Sequence, residues 1–573
     1  MAQIRPDVEE GHLAQFPRER DLLVPFLNGF DITWAKRRRA YNTELSVYFL
    51  LPEKFIQEQF GLDREIMLLV SDYPDLQPRT MQAVESFLND DPARGRVDQT
   101  VFFIVSRDPL SAKWVEEYVA LNPQSRIPVV FVWDELLTGR SNAWLVRSTI
   151  SAQLFSRDLF DYQLPLQNDL FFFGRDAVVA EFLNPIKQSQ NRGLFGLRKT
   201  GKTSVLFKVK RVAERDNVLV LYYDCKSPAL RSLTWESLLR RIGTEILDSA
   251  THRPLTLPHD AHVSDWFKAV LASLPSNVLT CLIFDEIEYI SPIAKLDPHW
   301  HDQFVPFWQT LWTAQSEIRR LSFLIAGVNP TVIEMDTVAG VQNPMFGIVR
   351  PKYLTGLEER EVRSMLHHFG RRMGLRFSQS AISYILSRYG GHPLLTRMAC
   401  SYENTALTTE RASRPIDLDR DRFVAHESDR EDEISFYCRH IVSELKLFYP
   451  DEYDVLELLP AGNIAEYMEF AEELSFTKHL RNYGLLDLLP NQRPTIKIPV
   501  LSKFVSDEQA RGYDRSQRYL IPPETRDTWL AGRSRRITEE LRQLERVAAV
   551  NSLPTLYGKM DFLKQNAFAT RSR

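Results

Sequence analysis

Nine consecutive residues, Gly196-Leu197-Arg198-Lys199-Thr200-Gly201-Lys202-Thr203-Ser204, hold the densest chemistry in the chain. They match the spacing G-x-x-x-x-G-K-[ST] without a mismatch, between an apolar run at 193–196 and a helix-like stretch at 204–212. Glycine at 196 and 201 lets the backbone turn tightly, so that successive N–H groups point at phosphate oxygens. With the helix N-terminus behind them, those donors form an anion cradle. Lys202 adds positive charge for the β- and γ-phosphates, and the Thr203 hydroxyl is a Mg²⁺ ligand. The run predicts a site for ATP with Mg²⁺ to which all nine residues contribute.

A second group completes that site. Cys281-Leu282-Ile283-Phe284-Asp285-Glu286 reads as a buried strand ending in two carboxylates. A strand end beside the P-loop strand places Asp285 to hold Mg²⁺, directly or through water. Glu286 is then free to polarise the attacking water as general base. Glu288 and Tyr289 fall on the following turn and carry no assigned chemistry.

Positioning these residues takes parallel strands with helices between them. Apolar runs at 45–51, 66–71, 101–106 and 127–132 read as buried strands, with helical spacing at 81–88 and 112–121 between them. Such alternation predicts a parallel sheet. A second series begins near residue 171, with strands at 193–196, 218–224, 279–284 and 321–327. From 357 the pattern is helical only, at 358–369, 378–389 and 393–404, and a charged stretch at 408–430 reads as a linker. Residues 434–505 resemble a winged helix, with a helix at 475–483, strands at 485–489 and 495–499 and a turn at 490–494 between them. An amphipathic helix is expected at 534–550. The fold class is α/β: an N-terminal Rossmann-like domain at 1–155, a P-loop core at 165–355, a helical lid at 356–407, a winged helix at 430–510 and a basic helical tail at 511–573.

Composition narrows the setting. A chain of 573 residues is too long for one core. Its net charge of −4 opposes a wholly basic nucleic-acid coat. Cys225, Cys281, Cys400 and Cys438 lie far apart without metal-ligand spacing, which fits a reducing cytosol rather than a disulfide scaffold. The N-terminus lacks the apolar stretch of a signal peptide, and no apolar run is long enough to span a bilayer. The expectation is a cytoplasmic protein with no membrane partner.

The region 171–406 resembles the AAA+/STAND branch of P-loop ATPases, particularly prokaryotic STAND-type members. The resemblance rests on Phe173-Gly174-Arg175-Asp176, the P-loop run, Ile283 to Glu288, Leu324 to Asn329, Asn343 to Gly347, and Gly390-Gly391-His392-Pro393. It implies that Gly174 and Arg175 border the nucleotide base and that Asn329 senses the γ-phosphate, although an Asn-Pro turn ending a strand would read the same. It further implies that His392 or Arg397 reaches phosphate from the lid, where a Gly-Pro helix start is the alternative. Arg350 is the implied arginine finger donated by a neighbouring copy, with Arg319 and Arg320 as rivals and a surface arginine as the plain alternative. A homo-oligomer acting with a protein partner, in a prokaryotic conflict or antiviral system, is the implied biology. The resemblance covers under half of the chain, and no sensor array of solenoid repeats accompanies it.

The flanks leave alternatives open. Ser111 to Glu117 is similar to a TIR-domain segment in which Glu117 would cleave NAD, while packing and solvation explain the same helix. Lys478, His479 and Arg481 would face DNA in a winged helix, opposed by Glu466, Glu469, Glu472 and Glu473 just upstream. Lys36-Arg37-Arg38-Arg39 is the better phosphate candidate, though short charge runs are commonly just solvated. A DNA-associated AAA+ ATPase of replication, transposition or restriction is therefore the rival reading.

Overall fold

The computed structural model describes residues 2–250, 262–472, 474–487 and 493–510. The basic tail, the helix expected at 534–550, Glu473 and most of the turn at 490–494 lie outside the described residues. The chain forms two compact units. Of the described residues, one holds those up to Ile441 together with Asn482–Leu485 and Lys497–Val500; the other holds those of Val442–Arg481 and Leu486–Ile496 and those from Leu501 to 510.

The larger unit contains two five-stranded sheets. The first is built in chain order from β1 (Phe30–Ala40), β2 (Thr43–Pro52), β3 (Glu65–Ser71), β4 (Val97–Ser106) and β5 (Ile127–Val132). It is mixed, not parallel as the alternation predicted: β1, β2 and β3 pair antiparallel, and β3, β4 and β5 pair parallel. Two things depart from expectation: β2 runs antiparallel to β3, and β1 is a strand that the apolar pattern does not reveal. Tyr41 and Asn42 both take positive φ (50° and 57°), making a two-residue hairpin turn of the kind that matches strand twist. The core of this sheet is Leu45, Val47, Phe49, Met67 and Leu69 against Val84 and Phe87 of the Pro78–Asn89 helix. The basic run 36–39 lies along β1 and is partly consumed there. Arg37 donates to Glu19 and Ser46, and Arg38 reaches Asp90 at 3.0 Å over the Phe87 ring.

The second sheet contains β6 (Arg192–Phe195), β7 (Val218–Asp224), β8 (Leu279–Asp285) and β9 (Leu321–Gly327). After a small hairpin of β10 (Thr337–Val338) and β11 (Val341–Gln342), β12 (Arg350–Tyr353) closes one edge. The order is β12-β6-β9-β8-β7, all parallel. The acid-bearing β8 is thus not beside the P-loop strand; β9 lies between them. Parallel strands covered on both faces read as near-continuous apolar runs, which is why β8 and β9 were legible. Leu194, Ile283 and Leu324 pack with Val205, Leu206 and Val209 of the Lys202–Arg215 helix.

Beyond β12 come the helices Glu359–Arg372, Gln379–Tyr389 and Pro393–Thr409, but the segment is not helical only. Leu375–Phe377 pairs in parallel with Ile416–Leu418, inside the stretch read as a linker. Several of its charges are turned inward, although Glu410, Asp417, Arg420 and Asp421 stay exposed. Fully buried Arg430 donates to Glu403 and Tyr389, and Arg422 and His426 reach the other Glu403 oxygen at 3.1 and 2.9 Å. The Glu359–Arg372 helix also joins the first sheet through a buried ion pair, Arg372 Nη2 to Asp98 Oδ2 at 2.7 Å. Beside it Arg371 grips both oxygens of Asp63 at 2.8 and 2.9 Å.

The smaller unit has the helices Pro450–Glu457, Ile464–Ala471 and Lys478–Asn482, then a two-residue antiparallel ladder of Leu486–Asp487 with Thr495–Ile496. There the His479 ring and backbone N–H both engage Glu452. Among the described residues no helix is long and apolar enough to cross a membrane.

Candidate functional site

The loop from Gly196 to Gly201 leaves the C-terminal end of β6 and feeds the Lys202–Arg215 helix. Lys199 and Gly201 take positive φ (63° and 97°), which curls the backbone. At Gly196 a Cβ would come within 3.1 Å of the Leu354 carbonyl, so any side chain there would press on its neighbours. Lys202 is buried, and its Nζ donates to the carbonyls of Gly196 at 2.8 Å and Leu197 at 3.2 Å. The lysine thus spans the loop it would serve.

Across β9, the carboxylate of Asp285 reaches that loop. Its Oδ2 accepts from the Thr203 hydroxyl at 2.7 Å and from the Tyr222 phenol at 2.9 Å, while Oδ1 accepts the Glu286 N–H. Burial raises its pKa; Thr203 opposes that shift, and neighbouring Glu286 adds to it. A buried carboxylate held against a hydroxyl, with a second acid adjacent, is a donor set that fits a hard divalent cation. Glu286 sits in the left-handed region (φ 54°) and half-buried, and it lines the cleft in front of the P-loop. Tyr222 was not found from the sequence; in the strand Val218–Asp224 it looked like any core aromatic.

The cleft has a volume of about 480 Å³ and is walled by the P-loop residues Arg198–Ser204, by Phe171–Phe173 and Arg175, and by Pro393, Leu394 and Arg397. Its cations crowd one another: burial, Arg198 and Lys226 together lower the Lys199 pKa. Positive charge gathered over a curled backbone is what an anion would relieve. Lys199 also donates to the Gln163 carbonyl, and the Ser204 hydroxyl accepts the Leu166 N–H at 2.9 Å, which lays the 163–166 segment along the loop. The Leu197 side chain is in the core; only its carbonyl takes part.

The resemblance-derived residues are placed unevenly. Arg175 lines the cleft and donates to the carbonyls of Thr355 and Gly356, and its N–H bonds Glu361 at 2.8 Å. Gly174 (φ 66°) has no room for a Cβ, which would lie 2.4 Å from Glu361 Cδ. His392 differs from expectation. It is 1% exposed, its Nδ1 caps the following helix by accepting the Leu395 N–H, and burial lowers its pKa to about 4. Buried and capping that helix, His392 is not among the residues that line the cleft. Arg397 is spent on the carbonyls of Leu159 and Phe160. Asn329 uses Oδ1 to accept both the N–H and the hydroxyl of Thr331, the turn-forming role named as its alternative. Arg350 is exposed at the start of β12, in register with Arg192 at the start of β6. It lies toward the end of the sheet opposite the P-loop. Its rival Arg320 donates to the carbonyls of Leu271, Leu274 and Pro275, a structural task.

Glu288, passed over in the sequence, is buried. Its Oε1 accepts the backbone N–H groups of Val328 and of Asn329, the latter at 2.6 Å, at the end of β9. Burial, then Glu286, raises its pKa to about 7. The carbonyl of Val328 in turn accepts from the Tyr483 phenol at 2.6 Å. Glu117, by contrast, is an exposed helix residue 4.0 Å from Lys113 and is not among the residues that line the cleft.

No family model matches the chain, and no curated protein does. Among solved structures it is similar to a Walker-type ATPase of Pyrococcus abyssi, at 14% identity over 61% of this chain and 99% of that one, with a TM-score of 0.42. The ORC2 protein of Aeropyrum pernix, in ADPNP–ADP complexes, is similar at 16% identity over 62% and 98%, with a TM-score of 0.36. The RuvB Holliday junction branch migration motor of Thermotoga maritima is similar at 13% identity over 59% and 95%, with a TM-score of 0.28.

Proposed function

We propose that this chain is an ATPase of the P-loop AAA+/STAND type that works as a nucleotide-driven switch. The observation that carries the reading is the meeting of the Thr203 hydroxyl with Asp285 at 2.7 Å, beside a lysine folded over its own glycine loop and at the foot of a cation-lined cleft. Backbone N–H groups of 198–204 would cradle the phosphates, with Lys202 balancing the charge of the β- and γ-groups. Thr203 and Asp285 would hold Mg²⁺, which supplies charge neutralisation of the transferred phosphoryl group. Glu286, facing the cleft, would take the proton from the attacking water. Asn329, with Oδ1 committed to Thr331, would offer its amide N–H groups toward the γ-phosphate.

In this reading the helices 359–409 act as a lid, and Arg175, bonded to the 355–356 carbonyls, is the joint at its base. The helices and short ladder of the smaller unit are read as a winged helix. Arg350 serves a neighbouring copy, since its place at the start of β12 keeps it from its own P-loop. The conflict-system setting rests on the resemblance alone, and genes encoded alongside would test it. The DNA-associated rival fits the same fold equally well; of the residues that would face DNA, His479 is engaged with Glu452.

A ligand that binds only the folded state stabilises it by about 2.7 kcal/mol at about 100-fold above its Kd, a shift that a melting scan resolves. MgATP is expected to raise the melting temperature of the wild type, and Lys202→Ala to abolish the rise. Glu286→Gln is expected to keep the rise and lose turnover. An unchanged wild-type melting curve at saturating MgATP would sink the assignment.

A further inference from the structure

We infer that Glu288 is a positioning residue for hydrolysis: its carboxyl ties the acidic turn after β8 to the end of β9, so that Glu286 and Asn329 move as one piece. The inference rests on the ATPase reading and deepens it. Four observations point the same way. First, one oxygen of a buried carboxyl takes two consecutive backbone N–H groups, those of Val328 and Asn329, from a different strand. Second, the approach has been cleared for it. A Cβ on Gly327 would lie 2.3 Å from Glu288 Oε1 and 2.7 Å from its Cδ, so only glycine admits the carboxyl there. Third, the turn bearing Glu288 is pinned, with the buried Ser291 hydroxyl donating to the Glu288 carbonyl at 2.8 Å.

The fourth is strain two residues upstream. Glu286 holds a left-handed conformation (φ 54°, ψ 50°), which a non-glycine residue keeps only when its surroundings enforce it. The Asp285 Oδ1 contact to the Glu286 N–H fixes one side of that residue, and the Glu288 latch fixes the other. Glu286 lines the cleft, whereas Glu288 is buried with one oxygen given to the two β9-end N–H groups, so Glu286 keeps the role of base. Its second oxygen, Oε2, is buried without a hydrogen-bond partner among the described residues. A buried acceptor left unmatched is retained at a cost, which fits a task beyond filling space.

The test uses the full chain and three variants. Glu288→Ala removes the latch. Glu288→Gln keeps an oxygen that accepts both N–H groups. Gly327→Ala expels the carboxyl from the other side and stands in should Glu288→Ala fail to fold. Steady-state kcat and KM and the MgATP-induced melting shift are read together. Glu288→Ala, and likewise Gly327→Ala, is expected to lower kcat by about 30-fold or more, a share of the about 10²–10⁴ that a well-placed base contributes. KM and the melting shift should stay within about threefold and a few degrees of wild type, and Glu288→Gln should recover most of kcat. Three results overturn the inference: an undiminished kcat in Glu288→Ala, equal loss in the Ala and Gln variants, or loss of the melting shift along with kcat. A wild type with no MgATP shift would instead bring down the ATPase reading, and this inference with it.

Discussion

Removing Arg372 gives a measurable account of how the first sheet is tied to the helices after Leu357. The Arg372–Asp98 pair is 2.7 Å long, with side chains 7% and 6% exposed, so neither charge is screened by water when its partner is lost. Breaking a buried pair from one side costs about 3–5 kcal/mol, because the other charge is stranded. The two sides are unequal here. Asp98 Oδ1 keeps the N–H groups of Thr100 and Val101 at 2.7 and 2.9 Å, so Arg372→Met should fall near the lower figure, about 3 kcal/mol. Asp98→Ala strands a guanidinium whose Nε already lacks a partner among the described residues and whose remaining contacts are His368 and its carbonyl; it should approach about 5 kcal/mol. The double variant leaves no stranded charge, so the losses should fall short of additive by about 2–3 kcal/mol. Native-state proteolysis in the 156–170 segment reads the opening equilibrium, with each tenfold in rate equal to about 1.4 kcal/mol. Additive rates within about 0.5 kcal/mol, or Asp98→Ala milder than Arg372→Met, would refute the reasoning.

Two further expectations concern the nucleotide site. Specific ATPase activity should rise with protein concentration. Arg350→Ala should lose that rise yet still show the MgATP melting shift, and mixing it with Lys202→Ala should restore part of the activity. Concentration-independent turnover without rescue would mean that Arg350 acts for no neighbour. Tyr222→Phe removes one of the two hydroxyls that hold Asp285 Oδ2 and should weaken Mg²⁺ dependence of the ATP melting shift about tenfold, as loss of an orienting outer partner does. An identical Mg²⁺ titration would show that the phenol orients nothing.

The phosphate cradle was legible because anion chemistry dictates both residue types and spacing over nine adjacent positions. Asp285 was legible for a related reason, a buried strand ending in acids. What joins them was not. A βα alternation does not encode strand order, so β9 between β6 and β8 could not be read, and neither could the Tyr222 phenol, which acts from the next strand over. Glu288 was unreadable because its partners are backbone groups of residues 328 and 329, which have no sequence signature. The β1 strand was missed because its outer half is basic and its turn is Tyr41-Asn42 rather than a glycine pair. The 408–430 stretch misled for the opposite reason: its charges looked solvated, yet Arg422, His426 and Arg430 converge on the one buried carboxylate of Glu403. His392 and Arg397 were placed by resemblance; both carry local structural hydrogen bonds, and of the two Arg397 lines the cleft.

The same β1 bears on how the protein behaves in a crowded solution. An outermost strand leaves one row of N–H and C=O groups without a ladder, an invitation for another chain to add itself. Near its start β1 is covered by the bridge between Ile4 and Ile32. The later half, where Lys36 and Arg39 are exposed, has no such cover within the sheet among the described residues. Two copies approaching along that half in antiparallel fashion would set like charges face to face, a pairing that opposes itself. The run that resembled a phosphate patch thereby acts as a fence, keeping a long, twisted hairpin from becoming the seed of an intermolecular sheet.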